Sequence, residues 1–583
     1  MNKDTQATWM LHAKKADFSA IGQRFHISPV TARLIRNRNV VGAEAIDRYL
    51  NGTIRDLYDP HLLKDMDPMV EILKEKIEKG VRIRIVGDYD IDGICSTYLL
   101  YQGLRRCGAK ADYQIPERIR DGYGINESII RRAYEDKIDT IITCDNGIAA
   151  FEQVRMAKEM GMTVLITDHH EVPRDETGRE QPPPADAVVN PKQEACGYPF
   201  PEICGGVVAY KLVQVLYEQF HVPEEEWENM LEFAAIATVG DVMRLQDENR
   251  LIVRWGLKKM ARTNSLGLKK LVEACGLDME NLTAYHIGFV IGPCLNASGR
   301  LQTAKLALEL LLCEDEAEAA RMAEELRELN EERKTMTQEG VDEALLQVEE
   351  QYKDDSVLVI FLPDCHESVA GIIAGRVREA WNRPVFVLTR GEGCVKGSGR
   401  SIEAYHMYRE MCKVSELFLK FGGHPMAAGF SIEERHVDEL RRRLNEQATL
   451  GPEDFIPKIW IDVAMPLEYI SESLIRELKL LEPFGQGNEK PQFAWKNLHI
   501  RSVRVLGKNR NAVKLTLVTE QGLAMDGMLF AEGDRFMEEL GEQRTMDVVY
   551  YPDVNEYNGR KSLQIVIRAY KLHVTVHGAG KTG

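Results

Sequence analysis

The sequence predicts an α/β protein with a doubly wound, mainly parallel sheet, a long connecting helix, a second α/β unit and a small C-terminal β-barrel. Three observations carry this reading. Short apolar runs alternate with helical stretches from Val81 to Val189, a tract rich in Leu, Ala and Glu runs from Glu309 to Glu350 without a proline, and β signals concentrate after Leu498. The chain has 583 residues, 44% hydrophobic and 28% charged, which suits an ordinary folded multidomain protein and excludes wholesale disorder. No apolar run approaches the roughly 18 residues of a membrane span. No apolar stretch follows the charged start Met1–Gln6, so a secretory signal is not expected. Eleven cysteines without a Cys-x-x-Cys pair exclude a zinc ribbon and suit reduced, cytoplasmic thiols.

The N-terminal segment, 1–75, reads as helical and connective, punctuated by Ser28-Pro29 and Asp59-Pro60. Val81–Val86 alternates as a strand that Gly87 ends, and an apolar helix follows from Ile94. A strand near Ala111–Ile115 and a helix near Glu127–Tyr134 come next. Thr140–Thr143 is a buried strand, Ala149–Met160 a helix, Thr163–Thr167 a third strand and Ala187–Val189 another. This domain is expected over 76–305. The tract 306–352 is an acidic connecting helix with one break. A second α/β domain, 353–450, contains strand Val357–Phe361, helix Val369–Ala380 and strand Pro384–Leu388. Gly451-Pro452 marks a boundary, and 451–573 carries strand signals at Leu498–Val505, Ala512–Thr519, Thr545–Pro552 and Leu563–Ala569, as in a small barrel. A loose tail, 574–583, ends the chain.

The net charge of −17 argues at first sight against a nucleic-acid partner. Its distribution weakens that objection. Glu309–Asp355 holds 17 acidic and 5 basic residues, so the rest of the chain carries only −5. Val253–Leu271 has six cations and no acid, and Arg376–Arg400 has six cations against two acids, although solvated surface charge alone would explain either stretch.

The chemistry begins at Gly87-Asp88-Tyr89-Asp90-Ile91-Asp92-Gly93. Three carboxylates two apart at the end of a strand face one way in an extended segment and repel unless a cation joins them. An EF-hand loop would need Glu where Leu99 stands, and a strand precedes this loop. Two more strand ends bring Asp145 (Thr143–Gly147) and Asp168-His169-His170, and Asp241 closes an apolar helical run. In an open parallel sheet such residues gather on one edge. Carboxylates with one or two imidazoles favour Mn²⁺ or Mg²⁺, and two ions bridged by shared carboxylates can activate water and clamp a phosphoryl group. The C-terminal Gly578–Gly583 imitates a phosphate-binding loop, but Thr stands at 575 and no helix can follow.

Asp168-His169-His170 together with the 87–93 segment resembles the DHH phosphoesterase superfamily, and within it the RecJ family of single-stranded-DNA-specific exonucleases. Ile115–Arg118 with Asp121–Ile125, Gly292–Arg300, His366–Ile372, Gly397–Ser401, Gly422–Gly429 and Leu481–Asn488 carry the resemblance from about Val30 to about His573. It implies a DHH catalytic domain, a DHH-associated substrate-binding domain and an OB-fold nucleic-acid-binding domain. It implies metal ligation of two Mn²⁺ or Mg²⁺ ions by Asp90, Asp92, Asp145, His169 and Asp241. Asp92 and Asp145 would bridge, Asp88 would join or support that shell, and His170 would contact the scissile phosphate. Asp92, Asp145, His169 and His170 form its expected catalytic set. Arg118, Asn296, Arg300, His366, Ser398, Arg400, Ser401, Gly423 and His424 are the implied substrate contacts, with Arg400, Ser401 and His424 in glycine-rich turns that let backbone N–H groups approach phosphates. Phe484, Phe493 and Trp495 are candidates for base stacking or for barrel core.

The resemblance further implies 5′→3′ hydrolysis of single-stranded DNA to mononucleotides in repair and recombination, in the cytoplasm and with no membrane partner. A RecQ-type helicase and a single-stranded-DNA-binding protein are its implied partners. Cys294 departs from the family's usual Arg, which takes away one expected phosphate or substrate contact, and Ser298 and His366-Glu367-Ser368 also differ. A DHH phosphodiesterase of oligonucleotides or cyclic dinucleotides is a rival, but such enzymes generally lack the C-terminal segment. A non-catalytic single-stranded-DNA-binding scaffold, as in a eukaryotic replicative-helicase subunit resembling the superfamily, is a second rival; it could shed ligands that this chain retains. A Rossmann-type dinucleotide enzyme is disfavoured, because carboxylates at the first strand end would repel a pyrophosphate.

Overall fold

The computed structural model describes residues 7–117, 124–557 and 559–573, in two compact units. One comprises 47–336 with 483–489; the other comprises the chain up to Ile46, Thr337–Glu482 and the chain from Lys490. The N-terminal segment is not wholly helical. Strand β1 (Thr8–Leu11) precedes helices α1 (Phe18–Phe25) and α2 (Pro29–Asn37) and pairs in parallel with Lys458–Ile461.

In the 47–336 unit, β2 (Arg82–Val86), β3 (Lys110–Gln114), β4 (Thr140–Cys144), β5 (Thr163–Thr167) and β6 (Ala187–Val189) form one all-parallel sheet in the order β3-β2-β4-β5-β6. The central strands β2, β4 and β5 are rich in β-branched residues and nearly all buried, as a sheet covered on both faces requires, whereas the edge strand β3 has no β-branched residue and is only partly buried. Ile83, Ile85, Ile142 and Leu165 pack with residues of α3 (Ile91–Arg106), and Val86, Ile141, Val164 and Ile166 pack with those of α4 (Glu127–Glu135) and α5 (Phe151–Glu159). The chain leaves β2 for β3 on one side and returns to β4 on the other. The switch point of this doubly wound sheet therefore lies between the ends of β2 and β4. Helices α6 (Gly205–Gln219) and α7 (Leu231–Gly240) join the first core, and α8 (Gly292–Leu301) follows. The loop 483–489 folds with this unit: Leu245 N–H donates to Gln486 O at 2.7 Å and Tyr49 Oη to Asn488 Oδ1 at 2.8 Å.

Glu232, in the first turn of α7, is buried and accepts a 2.5 Å hydrogen bond from Thr263 Oγ1. Burial raises its carboxyl to about 7 despite that bond. A carboxyl raised in the folded state loses stability as pH climbs from its unfolded value toward 7, and the loss is complete above that. Glu232→Gln is expected to stabilise this unit by up to about 3 kcal/mol at pH 8 and by little near pH 4.5. Thermal melts at the two pH values check this, and an equal increment at both would refute it.

The acidic tract is α9 (Glu316–Gln347), a 32-residue helix that spans the unit boundary, with the expected break before it at 313–315. Beyond it, β7 (Leu358–Phe361), β8 (Val385–Arg390), β9 (Val395–Arg400), β10 (Phe418–Gly423) and β11 (Ala427–Ile432) form a mixed sheet ordered β10-β11-β9-β8-β7. Helix α10 (Ala370–Trp381) follows β7. The expected glycine-rich turns are thus largely strands. Gly397 and Gly399 lie within β9 because a Cβ there would come 2.1 Å from the Phe430 ring and 2.4 Å from Met407 Sδ. The C-terminal β12 (Lys458–Ile461) and β13 (Val463–Ala464) precede a closed five-stranded barrel. Its members β14 (Phe493–Leu506), β15 (Ala512–Val518), β16 (Ala524–Leu529), β18 (Arg560–His573) and β17 (Thr545–Tyr557) pair in that order, and β17 closes on β14. Strand β16 escaped the sequence reading because Ala-Met-Asp-Gly-Met-Leu contains no β-branched residue. Among the described residues, no helix is long and apolar enough to cross a membrane.

Candidate active site

In the all-parallel sheet the carboxyl ends of β2, β4 and β5 share one edge, and the acidic and imidazole groups follow them directly. Asp90 caps α3, accepting from the N–H groups of Asp92 at 3.0 Å and Gly93 at 3.1 Å. Asp92, in the first turn of that helix, accepts from the first two N–H groups of α6, Gly205 at 2.8 Å and Gly206 at 2.7 Å. Asp145 sits in the left-handed region at φ 59°, which costs energy for a residue with a Cβ. The neighbouring Asn146 amide ties the two strand ends together by donating to Val86 O at 3.0 Å and Cys144 O at 2.9 Å.

These side chains converge. His169 Nε2 lies 3.1 Å from Asp145 Oδ1, 3.6 Å from Asp92 Oδ2 and 3.7 Å from Asp241 Oδ2. Three overlapping sets of donor atoms lie within 4.8 Å of one another: Asp88, Asp90 and Asp145; Asp145, His169 and His170; and Asp92, His169 and Asp241. Asp145 belongs to two of them, as does His169. Asp88, Asp92, Asp145 and His169 are buried. Burial first, then the neighbouring carboxylates, pushes Asp145 well above the usual range, raises Asp90 and lifts Asp241 to about 8. Asp241 also follows the C-terminus of α7, where the helix dipole disfavours an anion. So many mutually repelling oxygen donors, most of them buried, with two imidazoles among them fit hard divalent cations, which would relieve the repulsion.

The sequence reading missed Asp168 as an individual contributor. Its buried carboxylate accepts from Ile148 N–H at 2.9 Å, His169 N–H at 2.7 Å and His170 N–H at 3.1 Å, and lies 2.8 Å from His170 Nδ1. Burial alone would lower His170, but the Asp168 hydrogen bond and charge carry it up to about 9, with the imidazole still partly exposed. Gly205 and Gly206 were missed too. A Cβ at Gly205 would lie 2.7 Å from Asp145 Cβ, and one at Gly206 would lie 2.5 Å from Ala237 Cβ and 3.1 Å from Asp92 Oδ1. A glycine pair opening an apolar helical run was their only signal in the sequence.

Three family models match the chain: the DHH family N-terminal domain over 82–238, the DHHA1 domain over 354–449 and the RecJ OB domain over 461–569. The single-stranded-DNA-specific exonuclease RecJ of Bacillus subtilis is 38% identical over 553 residues, covering 94% of this chain and 69% of that protein. This chain belongs to the RecJ family. Solved structures agree. The crystal structure of Thermus thermophilus RecJ in complex with Mn²⁺ matches with a TM-score of 0.81 at 27% identity, over 97% of this chain and 80% of that one. The same organism's RecJ in complex with Mg²⁺ matches with a TM-score of 0.77 at 26% identity, over 97% and 78%.

Against the RecJ pattern, the expected substrate contacts divide. Asn296 in α8 uses its side-chain oxygen to accept from Ile91 N–H at 2.8 Å, so it braces the acidic loop after β2. Gly299 allows the same loop to approach, since a Cβ there would lie 2.4 Å from Tyr89 O. Arg300 is half-buried in the last turn of α8, and Arg118 lies outside the described residues. Cys294 is buried, its Sγ 3.7 Å from Cys275 Sγ, with Asn330 Nδ2 donating to it at 3.4 Å. A sulfur so enclosed offers nothing to a phosphate.

In the other unit, His366 precedes the N-terminus of α10, its Nδ1 2.6 Å from Ser368 Oγ. Ser398 and Arg400 project from β9 over the same helix end: a Cβ on Gly371 would lie 3.5 Å from Ser398 Oγ and 3.0 Å from Arg400 Nη2. Ser401 does not join them, because its buried hydroxyl donates to Tyr405 O at 2.5 Å. Gly423 ends β10, where the Ala428 Cβ would crowd any side chain at 2.7 Å, and His424 next to it is exposed. Of the stacking candidates, Phe493 is fully buried in the barrel beside Tyr550, whereas Phe484 and Trp495 are half-buried.

Proposed function

We propose that the chain is a 5′→3′ exonuclease that hydrolyses single-stranded DNA to mononucleotides during repair and recombination, with a catalytic domain over 76–305, a DHH-associated domain over 353–450 and an OB domain over 451–573. The observation that carries this reading is the buried convergence at the sheet's switch point, where Asp145 is common to an all-carboxylate set and an imidazole set. Asp88, Asp90, Asp92, Asp145, His169 and Asp241 would hold two Mn²⁺ or Mg²⁺ ions. Bound there, such ions supply a water acidic enough to attack at neutral pH and neutralise charge on the phosphoryl oxygens.

The chain's own groups supply orientation and charge. The two N–H groups opening α6 fix the Asp92 carboxylate, and the Asn146 amide fixes the strand ends around Asp145. Asp168 holds the His170 ring in one orientation and keeps it cationic, so that it donates to a phosphate oxygen of the scissile bond. The helix end near His366, with Ser398 and Arg400, suits a phosphate or sugar of the strand. The enzyme works in the cytoplasm, which its eleven free cysteines suit, and takes single strands prepared by a RecQ-type helicase and coated by a single-stranded-DNA-binding protein.

A digestion with Mn²⁺ tests this reading. Long single strands labelled at either end, matched duplex, a dinucleotide and a cyclic dinucleotide are the substrates. Early release of the 5′ label as mononucleotide, with duplex spared, is the expected result. Cleavage of only the dinucleotide or the cyclic compound would overturn it in favour of a small-nucleotide phosphodiesterase.

A further inference from the structure

The N-terminal helix pair carries an unneutralised positive face that the catalytic chemistry does not use. In a chain of net charge −17, residues 12–39 hold six cations, Lys14, Lys15, Arg24, Arg33, Arg36 and Arg38, against Asp17 alone. Asp17 is engaged in capping α1, its carboxylate accepting from Ala20 N–H at 2.9 Å. Arg38 is buried, 3.7 Å from Asp462, and donates to Leu34 O. Lys14 donates to Asn37 O at 2.6 Å and Asn39 Oδ1 at 2.7 Å at the end of α2. Among the described residues, the remaining four, Lys15, Arg24, Arg33 and Arg36, form no ion pair. Elsewhere this surface pairs its arginines along helices, as Arg321, Arg327 and Arg442 do with glutamates three or four residues away.

The frame that holds this face is anchored at several points. A three-residue connection, with His26 left-handed at φ 56°, joins α1 to α2, the connection length of helix–turn–helix units. Gly22 permits the close approach, since a Cβ there would lie 2.7 Å from Ile27 O. The start of α2 is already engaged, because Ser28 N–H, Ser28 Oγ and Thr31 Oγ1 all donate to Glu477 Oε2 at 2.8, 2.6 and 2.6 Å. Thr31, Ala32, Leu34 and Ile35 are buried, whereas Pro29, Arg33 and Arg36 follow at i, i+4 and i+7 along the opposite face. Arg33 and Arg24 lie over the rings of Phe18 and Phe25, 4.9 and 5.7 Å from their centroids.

We propose that this helix pair is a second, non-catalytic nucleic-acid contact, gripping the phosphodiester backbone of single-stranded DNA through Lys15, Arg24, Arg33 and Arg36. Fixed guanidinium groups without carboxylate partners match phosphate geometry, and the lack of base-edge chemistry makes the grip independent of sequence. The inference rests on the reading of the chain as a single-stranded-DNA nuclease.

The test uses the full chain with Arg24, Arg33 and Arg36 all changed to Gln, and a second variant with the same three changed to Lys. Anisotropy of a long labelled single strand in metal-free buffer is followed across salt concentrations. The Gln variant is expected to bind about tenfold more weakly near 0.1 M salt, and its log K against log salt slope to fall by about 2. The Lys variant should keep the wild-type slope, and both should melt like the wild type and cut a dinucleotide at the wild-type rate with Mn²⁺. An unchanged slope or an equal loss in both variants would overturn the proposal. A wild-type chain that neither binds nor cuts single strands would sink the nuclease reading instead.

Discussion

Asp145→Asn is expected to abolish Mn²⁺-dependent hydrolysis while leaving the metal-free chain at least as stable as the wild type. The carboxylate belongs to two of the three donor sets, so its loss weakens both candidate ion positions at once. Asn tolerates the left-handed backbone at φ 59° better than other substitutions, so the turn after β4 survives. Burial and the charges of Asp92, Asp90 and Asp88 disfavour ionisation at this position, so a neutral amide relieves repulsion in the metal-free state. Activity should fall by about a thousandfold or more, as removal of a shared ligand requires. Saturating Mn²⁺ should stabilise the wild type by about 3 kcal/mol at a hundredfold excess over its dissociation constant, and the variant by much less. A folded variant that keeps hydrolysis within tenfold of wild type would refute the shared role.

Gly205→Ala should be the most damaging small change outside the ligands themselves. Alanine is the better helix former, so at an ordinary helix start the exchange would be neutral or stabilising. Here the new Cβ would meet Asp145 Cβ at 2.7 Å, its Oδ1 at 2.9 Å and its Cα at 3.0 Å, all on a buried and already strained residue. Either α6 retreats and loosens the N–H groups that hold Asp92, or Asp145 moves. The expected cost is about 1–3 kcal/mol in stability and about a hundredfold in rate, with a weakened Mn²⁺ dependence. Gly375→Ala, in α10, is the control: nothing lies within 4 Å of a Cβ there, so no loss should follow. Full activity in the Gly205 variant would show that the contact yields without consequence.

The α/β alternation, the mainly parallel sheet, the barrel and the convergence of Asp88, Asp90, Asp92, Asp145 and the Asp168–His170 triplet on one edge are all legible in the amino-acid order. Local periodicity marks where buried strands end, and a parallel sheet puts all its carboxyl ends together, so residues distant in sequence share an edge without any contact being known. What depends on side chains meeting across the fold emerges only once the chain is folded. The fold set the Asn296 side-chain oxygen on Ile91 N–H, enclosed Cys294 beside Cys275, and gave the Ser401 hydroxyl to Tyr405 O. It placed the loop 483–489 on Leu245 and Tyr49, so a chain cut after Pro452 would lose contacts of the catalytic unit along with the barrel. It also made strands of glycine-rich segments whose sequence signals turns, because Phe430 and Met407 fill the space a side chain would need. Such outcomes are set by packing between segments up to hundreds of residues apart, and sequence periodicity carries no record of which side chains will meet there.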